Sequence, residues 1–208
     1  MIYKNTAVFD FETLGLNSAT DPILEVAALR IRGGNIVGSY HELANPSLLI
    51  PARITEITSI TDEMVAGCAP VDHVIHRLMA FIGDDSLLIG HNVAFDLGFL
   101  DANYRRIYGH SVCNHFLDTR AMCIKRFPFK SHKLIDVCGY LDIKFDGAHR
   151  ALNDVMATWE VCKTLWDEAA IADPNQGMEW YRDRILHFRK YAYNKPFVPE
   201  HGVLELVG

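Results

Sequence analysis

The sequence predicts an α/β domain of three layers, a mixed sheet between two sets of helices. Three observations carry that expectation. The first third of the chain contains short apolar runs of β-formers, two of them joined by a Gly-Gly turn. The remainder alternates helical apolar spacing with short apolar runs, and a β-hairpin unit followed by alternating helix and strand implies a mixed sheet flanked by helices. The 208 residues, half of them hydrophobic and 22% charged, are enough for one compact domain with a sizeable core and, at most, a short appendage.

The elements follow in order. Thr6 to Phe11 is a short apolar strand, and Ile23 to Ile31 is a second. Gly33-Gly34-Asn35 is a hairpin turn signal, so Ile36 to Leu43 is expected to run antiparallel to the second strand. Pro46 to Pro51 is a loop. Thr61 is the expected N-cap of a short helix with Asp62 and Glu63 in its first turn. Val71, Val74, Ile75, Leu78 and Ile82 have helical spacing. Leu87 to His91 reads as a short buried strand and Phe95 to Tyr108 as a helix. Phe116 to Thr119 reads as a strand end or helix cap, and Arg120–Lys125 and Lys133–Leu141 as helices. From His149 to about Ala170 a long helix turns Val155, Thr158, Trp159, Cys162, Leu165 and Trp166 toward the core. Asp173-Pro174-Asn175 breaks it. Met178 to Tyr191 reads as one more helix and Asn194 to Gly208 as a tail.

Composition excludes collagen, coiled coil and disorder. No apolar run reaches the roughly 20 residues that span a bilayer, and Met1 to Asn5 has no secretory signal character. The expected location is therefore cytoplasmic, with no membrane partner. Cys68, Cys113, Cys123, Cys138 and Cys162 form no C-x-x-C pair and are expected as reduced, mostly buried thiols. A net charge of −6 weighs against a general nucleic-acid coat protein but leaves room for carboxylates that hold metal ions.

Three motifs carry chemistry. In Asp10-Phe11-Glu12 the period of a strand puts both acids on one side, roughly 6–7 Å apart along the chain. Two acids at the end of a buried strand are costly unless a proton or a cation neutralises them; the plain alternative is a solvated strand end. Thr13-Leu14-Gly15-Leu16 follows, where Thr and Gly allow close backbone approach by a ligand. The second motif, His91 to Leu100, puts Asp96 in the first turns of a helix after a strand, a common place for chemistry in open α/β sheets and also a place where an acid is simply favoured by the helix dipole. In the third, His149-Arg150-Ala151-Leu152-Asn153-Asp154, residues five apart are turned about 140° on a helix. Asp154 is therefore expected on the helix itself, and His149 in the loop or first turn. Together, four carboxylates and one His fit a hard-cation site for Mg²⁺ or Mn²⁺.

These motifs, with Ile54 to Val65 as a fourth matching stretch, resemble the DEDDh family of 3′→5′ exonucleases, and most of all the epsilon-type proofreading exonucleases of bacterial DNA polymerase III. The resemblance covers about residues 6 to 168; the family usually has Gly at Ser59 and often Ala at Val155. It implies a ribonuclease-H-like fold with the Asp10 strand in the middle of a five-stranded mixed sheet. It implies an exonuclease domain over residues 1–172 and an appendage over 173–208. Asp10, Glu12, Asp96 and Asp154 would hold two Mg²⁺ or Mn²⁺ ions, and His149 would be the general base. Thr13, Leu14 and Gly15 would lie against the terminal nucleotide, with backbone N–H groups near its 3′-hydroxyl. Ile60 and Phe95 would pack on the last bases or in the core, and Asn92 would order the pocket or cap the helix. The implied partners are single-stranded DNA or RNA 3′ ends and a DNA polymerase, with a homodimer as the self-association considered. The competing functions are an exoribonuclease that trims RNA ends and a non-catalytic nucleic-acid or polymerase-binding module; the intact set of acids and His149 argues against the latter.

Other signals are weaker. His110, Cys113 and His115 lack zinc spacing and a fourth ligand. Lys125, Arg126, Lys130, His132 and Lys133, with Phe127 and Phe129 between them, read as a phosphate-tracking stretch or as a solvated face. Arg182, Arg184, Arg189, Lys190 and Lys195 admit the same two readings.

Overall fold

Six strands form one sheet in the order β3-β2-β1-β4-β5-β6, among residues 5–145, 147–172 and 186–187, which this computed structural model describes. The strands are β1 (Thr6–Thr13), β2 (Ile23–Arg32), β3 (Asn35–Leu43), β4 (Leu87–Gly90), β5 (His115–Asp118) and β6 (Leu186–His187). The helices are α1 (Ala52–Thr58), α2 (Asp62–Val65), α3 (Val71–Ile82), α4 (Ala94–Tyr108), α5 (Thr119–Arg126), α6 (Leu134–Tyr140) and α7 (Ala151–Ala172). β1 pairs antiparallel with β2 and parallel with β4, so it is the middle strand of the five that were expected. The hairpin closes as its sequence predicts: Arg32 pairs with Asn35, and Gly33 and Gly34 both take positive φ, which glycine adopts without strain.

The period of two in β1 divides the core. Ala7, Phe9 and Phe11 face one layer, with Ile75 and Leu78 of α3 and Leu97, Phe99 and Leu100 of α4. Val8 faces the other, with Leu29, Ile89 and Leu117 of the sheet and Val155, Trp159, Cys162 and Leu165 of α7. This is the three-layer arrangement, and the face expected for α7 is the buried one. Cys123, Cys138 and Cys162 are buried, and Cys68 and Cys113 are partly so.

The structure corrects some expectations and fills in one segment, 52–58, for which there was none. The segment 52–58 is a helix, although Ile54, Thr55, Ile57 and Thr58 are β-branched; Pro51 precedes it and Ser59 ends it in the left-handed region. Thr61 occupies the N-cap of α2 but makes no side-chain cap bond, while Asp62 accepts the Ile50 N–H at 2.9 Å. Leu186–His187 pairs antiparallel with β5 and is strand, not part of a helix from 178 to 191, because the open edge of β5 supplies ladder partners. The rest of that expected helix and the tail from Asn194 lie outside the described residues. Among the described residues no helix is long and apolar enough to cross a membrane.

Trp159 is the largest fully buried side chain on the α7 face. Trp159→Ala is expected to cost about 3–5 kcal/mol in urea unfolding, from lost burial plus a cavity. Met156→Ala, on the exposed side of the same helix, should stay within about 0.5 kcal/mol.

Candidate active site

β1 runs past the end of β4, since the last paired residues are Val8 and Ile89. Beyond that point the Phe11 N–H has no strand partner on this side, and Oδ1 of Asp96 accepts it at 3.1 Å. The Asp96 carboxylate thus stands in for a missing ladder carbonyl and ties α4 to β1 across 85 residues of sequence. Asp10 and Glu12 follow Val8 in period and point to the α7 layer. Asp154, in the first turn of α7, meets them there. Carboxylate oxygens of Asp10, Glu12 and Asp154 all lie within 4.8 Å of one another. Asp96 approaches from the α4 side and is not one of these three, but after burial its charge acts most strongly on Asp10. Among the described residues, this trio is the one convergent group of three or more potential metal ligands.

The charges are costly as they stand. Burial first, then the neighbouring carboxylates, hold Asp10 well above the ordinary range. Burial and Asp154 push Glu12 up to about 8. Burial raises Asp96 to about 8, although the Phe11 N–H works against the rise. Asp154 rises to about 6 through burial, with the nearby His149 charge and the backbone N–H of Arg150 at 3.2 Å opposing it. A set of hard oxygen donors that repel one another is the donor chemistry that suits a small divalent cation.

The start of α7 is fixed by a group that the motifs did not reveal. Glu25 in β2 stands directly across from Glu12 and is fully buried. Burial would raise it, but the hydrogen bonds of Arg150, His41 and the Ala151 N–H outweigh burial and hold the carboxyl below its usual range. Arg150 donates to it through Nε at 3.1 Å and through NH2 at 2.8 Å, and Ala151 N–H donates at 2.9 Å. One carboxylate therefore anchors the residue next to His149 and the first residue of α7. The only sequence signal was a single acid inside an otherwise apolar strand. His149 itself sits before α7, as expected, exposed and with φ of 65°. A side chain other than Gly in that region is held there by its surroundings.

The candidate substrate contacts divide. Thr13 and Leu14 lie at the end of β1, but the Leu14 N–H already donates to the Pro22 carbonyl at 2.9 Å, and the Thr13 hydroxyl donates to the Gly15 carbonyl at 2.6 Å. The Leu14 N–H is thus committed to the loop and is not free for a 3′-hydroxyl. At Gly15 a Cβ would meet Oδ2 of Asp21 at 2.2 Å, so a larger residue there would displace that side chain. Ile60 is fully buried with Leu24, Ile50 and Val65 and is a core residue; it offers no surface to a base. Phe95 is half-buried against the α3/α4-side core, with its ring 5.0 Å from that of Phe99. Asn92 is exposed with φ of 67°, and it is its carbonyl, not its side chain, that accepts the Phe95 N–H. The capping work nearby is done by Asp118, whose Oδ1 accepts the N–H groups of Asn92, Arg120 and Ala121.

Two outcomes follow from this geometry. In metal-free protein the raised carboxyls keep protons that the unfolded chain gives up near pH 4. Their contribution to stability is present below that pH and is lost as pH rises through about 6 to 8. The melting temperature in a chelator should fall between about pH 5 and 8.5 and be flatter in Asp10→Asn; a melting temperature that rises over this range contradicts the crowding. Arg150→Ala, which leaves Glu25 short of its main partner, should cost about 1–3 kcal/mol in urea unfolding, with Arg150→Lys in between.

The exonuclease family model RNase_T matches residues 7–162. The PolC-type DNA polymerase III of Clostridium perfringens is 40% identical over 157 residues, covering 75% of this chain and 11% of that protein. The Bacillus subtilis PolC-type enzyme is 37% identical over 195 residues, covering 91% and 13%. The chain thus spans little more than a tenth of the length of these relatives. Among solved structures, E. coli exonuclease I in complex with a dT13 oligonucleotide superposes with a TM-score of 0.71 at 20% identity, covering 87% of this chain and 44% of that one. Exonuclease X in complex with 5′-overhanging duplex DNA gives 0.62 at 21%, covering 78% and 92%. At these identities the likeness concerns the fold, and it agrees with the ribonuclease-H-like sheet. The match of the family model over most of the chain, together with the motifs that bear Asp10, Glu12, Asp96, His149 and Asp154, shows that the chain belongs to the DEDDh exonuclease family.

Proposed function

We propose that the chain is a metal-dependent 3′→5′ exonuclease that removes nucleotides from the 3′ end of DNA as nucleoside 5′-monophosphates, in proofreading or repair. The observation that carries this is the convergence of Asp10, Glu12 and Asp154, with Asp96 behind them and His149 on the loop beside them. The donor set fits Mg²⁺ or Mn²⁺, two ions being the reading favoured here, held by Asp10, Glu12, Asp96 and Asp154. Bound there, such ions supply positive charge to the attacked phosphate and make a water more acidic. His149 accepts the proton of the attacking water on an unprotonated ring nitrogen, a task suited to an imidazole near neutral pH. The new P–O bond forms from that water as the bond from phosphorus to the penultimate 3′-oxygen breaks, and the 3′-oxygen leaves with a proton from solvent. Phe95 offers a flat apolar surface to the terminal base, which tolerates any sequence.

The DNA preference draws support from the PolC-type relatives and from the DNA held by the fold neighbours. The same relatives favour a polymerase as partner and a cytoplasmic location; residues 1–172, which contain the span 7–162 matched by the exonuclease family model, are proposed as the catalytic unit. The test is release of mononucleotides from a 3′-labelled DNA oligomer with Mg²⁺, beside a matched RNA oligomer. His149→Ala should lower the rate by about 10²–10⁴-fold, and Asp10→Ala should abolish it. Unchanged release by Asp10→Ala refutes the proposal, and faster release from RNA moves the substrate to RNA.

A further inference from the structure

One surface is left unused by this chemistry. From Thr119 to Ile135 the chain carries Arg120, Lys125, Arg126, Lys130 and Lys133 and no acid, in a protein of net charge −6. All five cations are exposed. Within this stretch the rings of Phe127 and Phe129 stack at 4.8 Å, and Phe129 stacks on Tyr140 at 4.3 Å, with the His132 ring 6.0 Å from Phe129. Phe127 and Phe129 rest on the α7-side core, while Tyr140 is 48% exposed, so the column of rings ends at a residue reached by solvent. Asp136, the first acid after the stretch, is engaged by the Ser131 hydroxyl, and Asp142 is the next exposed one.

The segment is fixed to the edge of the sheet that bears the carboxylates. Nε2–H of His91, just past the end of β4, donates to the His132 carbonyl at 2.9 Å, and Nδ1 of His91 lies 2.9 Å from the Thr119 hydroxyl at the start of α5. β4 and β5 are parallel to β1, so their C-terminal ends lie at the same edge as Asp10 and Glu12.

We propose that the Lys125–Lys133 segment and Tyr140 form a docking track for the single-stranded part of the substrate upstream of its 3′ end. This rests on the nuclease reading above and deepens it. Cations beside stacked rings fit a phosphate backbone with unpaired bases, because each cation neutralises a phosphate and any base has a face that stacks. A solvated cationic face with no ligand needs neither the ring column nor its exposed end.

The variants are Tyr140→Leu, Tyr140→Phe and the pair Lys130→Gln with Lys133→Gln, all at exposed positions and checked for unchanged melting. Binding of fluorescent dT12 is measured by anisotropy in Ca²⁺ at several salt concentrations, and the ratio of kcat/KM for dT12 over dT3 is measured in Mg²⁺. Tyr140→Leu should weaken dT12 binding about tenfold while Tyr140→Phe keeps it. The double Lys variant should lower the salt slope by about 1.4, the share of two phosphates on a single strand. Both Tyr140→Leu and the Lys pair should reduce the dT12-to-dT3 ratio. Unchanged dT12 affinity and ratio in these variants, with hydrolysis by the native chain intact, overturns the track and leaves the nuclease reading. Absence of dT12 binding by the native chain also overturns it. Variant-specific loss of dT12 binding with no hydrolysis by the native chain supports the track and removes the nuclease reading.

Discussion

The molecule is organised around a repulsion. Asp10, Glu12 and Asp154 bring carboxylate oxygens within 4.8 Å of one another, with Asp96 close behind. Left alone, such a cluster favours protonation or separation. The fold prevents the separation, and in metal-free protein the raised carboxyls keep protons. β1 is clamped between β2 and β4, and the start of α7 is held on Glu25. Rigid elements thus keep the acids together, and in the proposed function a divalent cation would offset the cost.

The sheet sets which acid comes from which side. Period two sends Asp10 and Glu12 to the α7 layer, and Asp154 joins them there. Asp96 comes from the α4 layer through the gap where β4 ends, and there it also serves as a hydrogen-bond acceptor for Phe11. Glu25 faces Glu12 across the strands, where two bare carboxylates would repel. Arg150 pairs with it and His41 hydrogen-bonds it, so the carboxylate is held by partners of its own and anchors the helix that bears Asp154.

Much of this was legible in the sequence. The Asp10-x-Glu12 spacing was sufficient to place both acids on one face, and the five-residue gap from His149 to Asp154 left His149 to the loop or the first turn, of which the structure shows the loop. The hairpin at Gly33-Gly34 and the helix over Val71–Ile82 were legible for the same reason, since local chemistry alone determines them. What was not legible depends on contacts distant in sequence. Helix α1 carries β-branched residues that argue against it, and it is bounded by Pro51 before it and by the left-handed Ser59 after it. Ile60 read either as a surface for bases or as core, and it is core, because helices α1 and α2 fold it inward beside Leu24 and Ile50. Leu14 lost its free N–H to Pro22, a loop contact that no spacing reveals. Glu25 gave only the faint signal of one acid in an apolar strand, and its partner Arg150 was visible but without a role. The two residues of β6 needed the open edge of β5 to become strand.

The crowded carboxylates as a cation site are tested most directly by calorimetric titration of the purified chain with Mn²⁺ at neutral pH, beside Asp10→Asn. Saturable uptake of Mn²⁺ by the native chain, lost or weakened at least about tenfold in Asp10→Asn, agrees with carboxylates that converge to hold metal. Equal uptake by both proteins, or none by the native chain while it still degrades DNA, contradicts it.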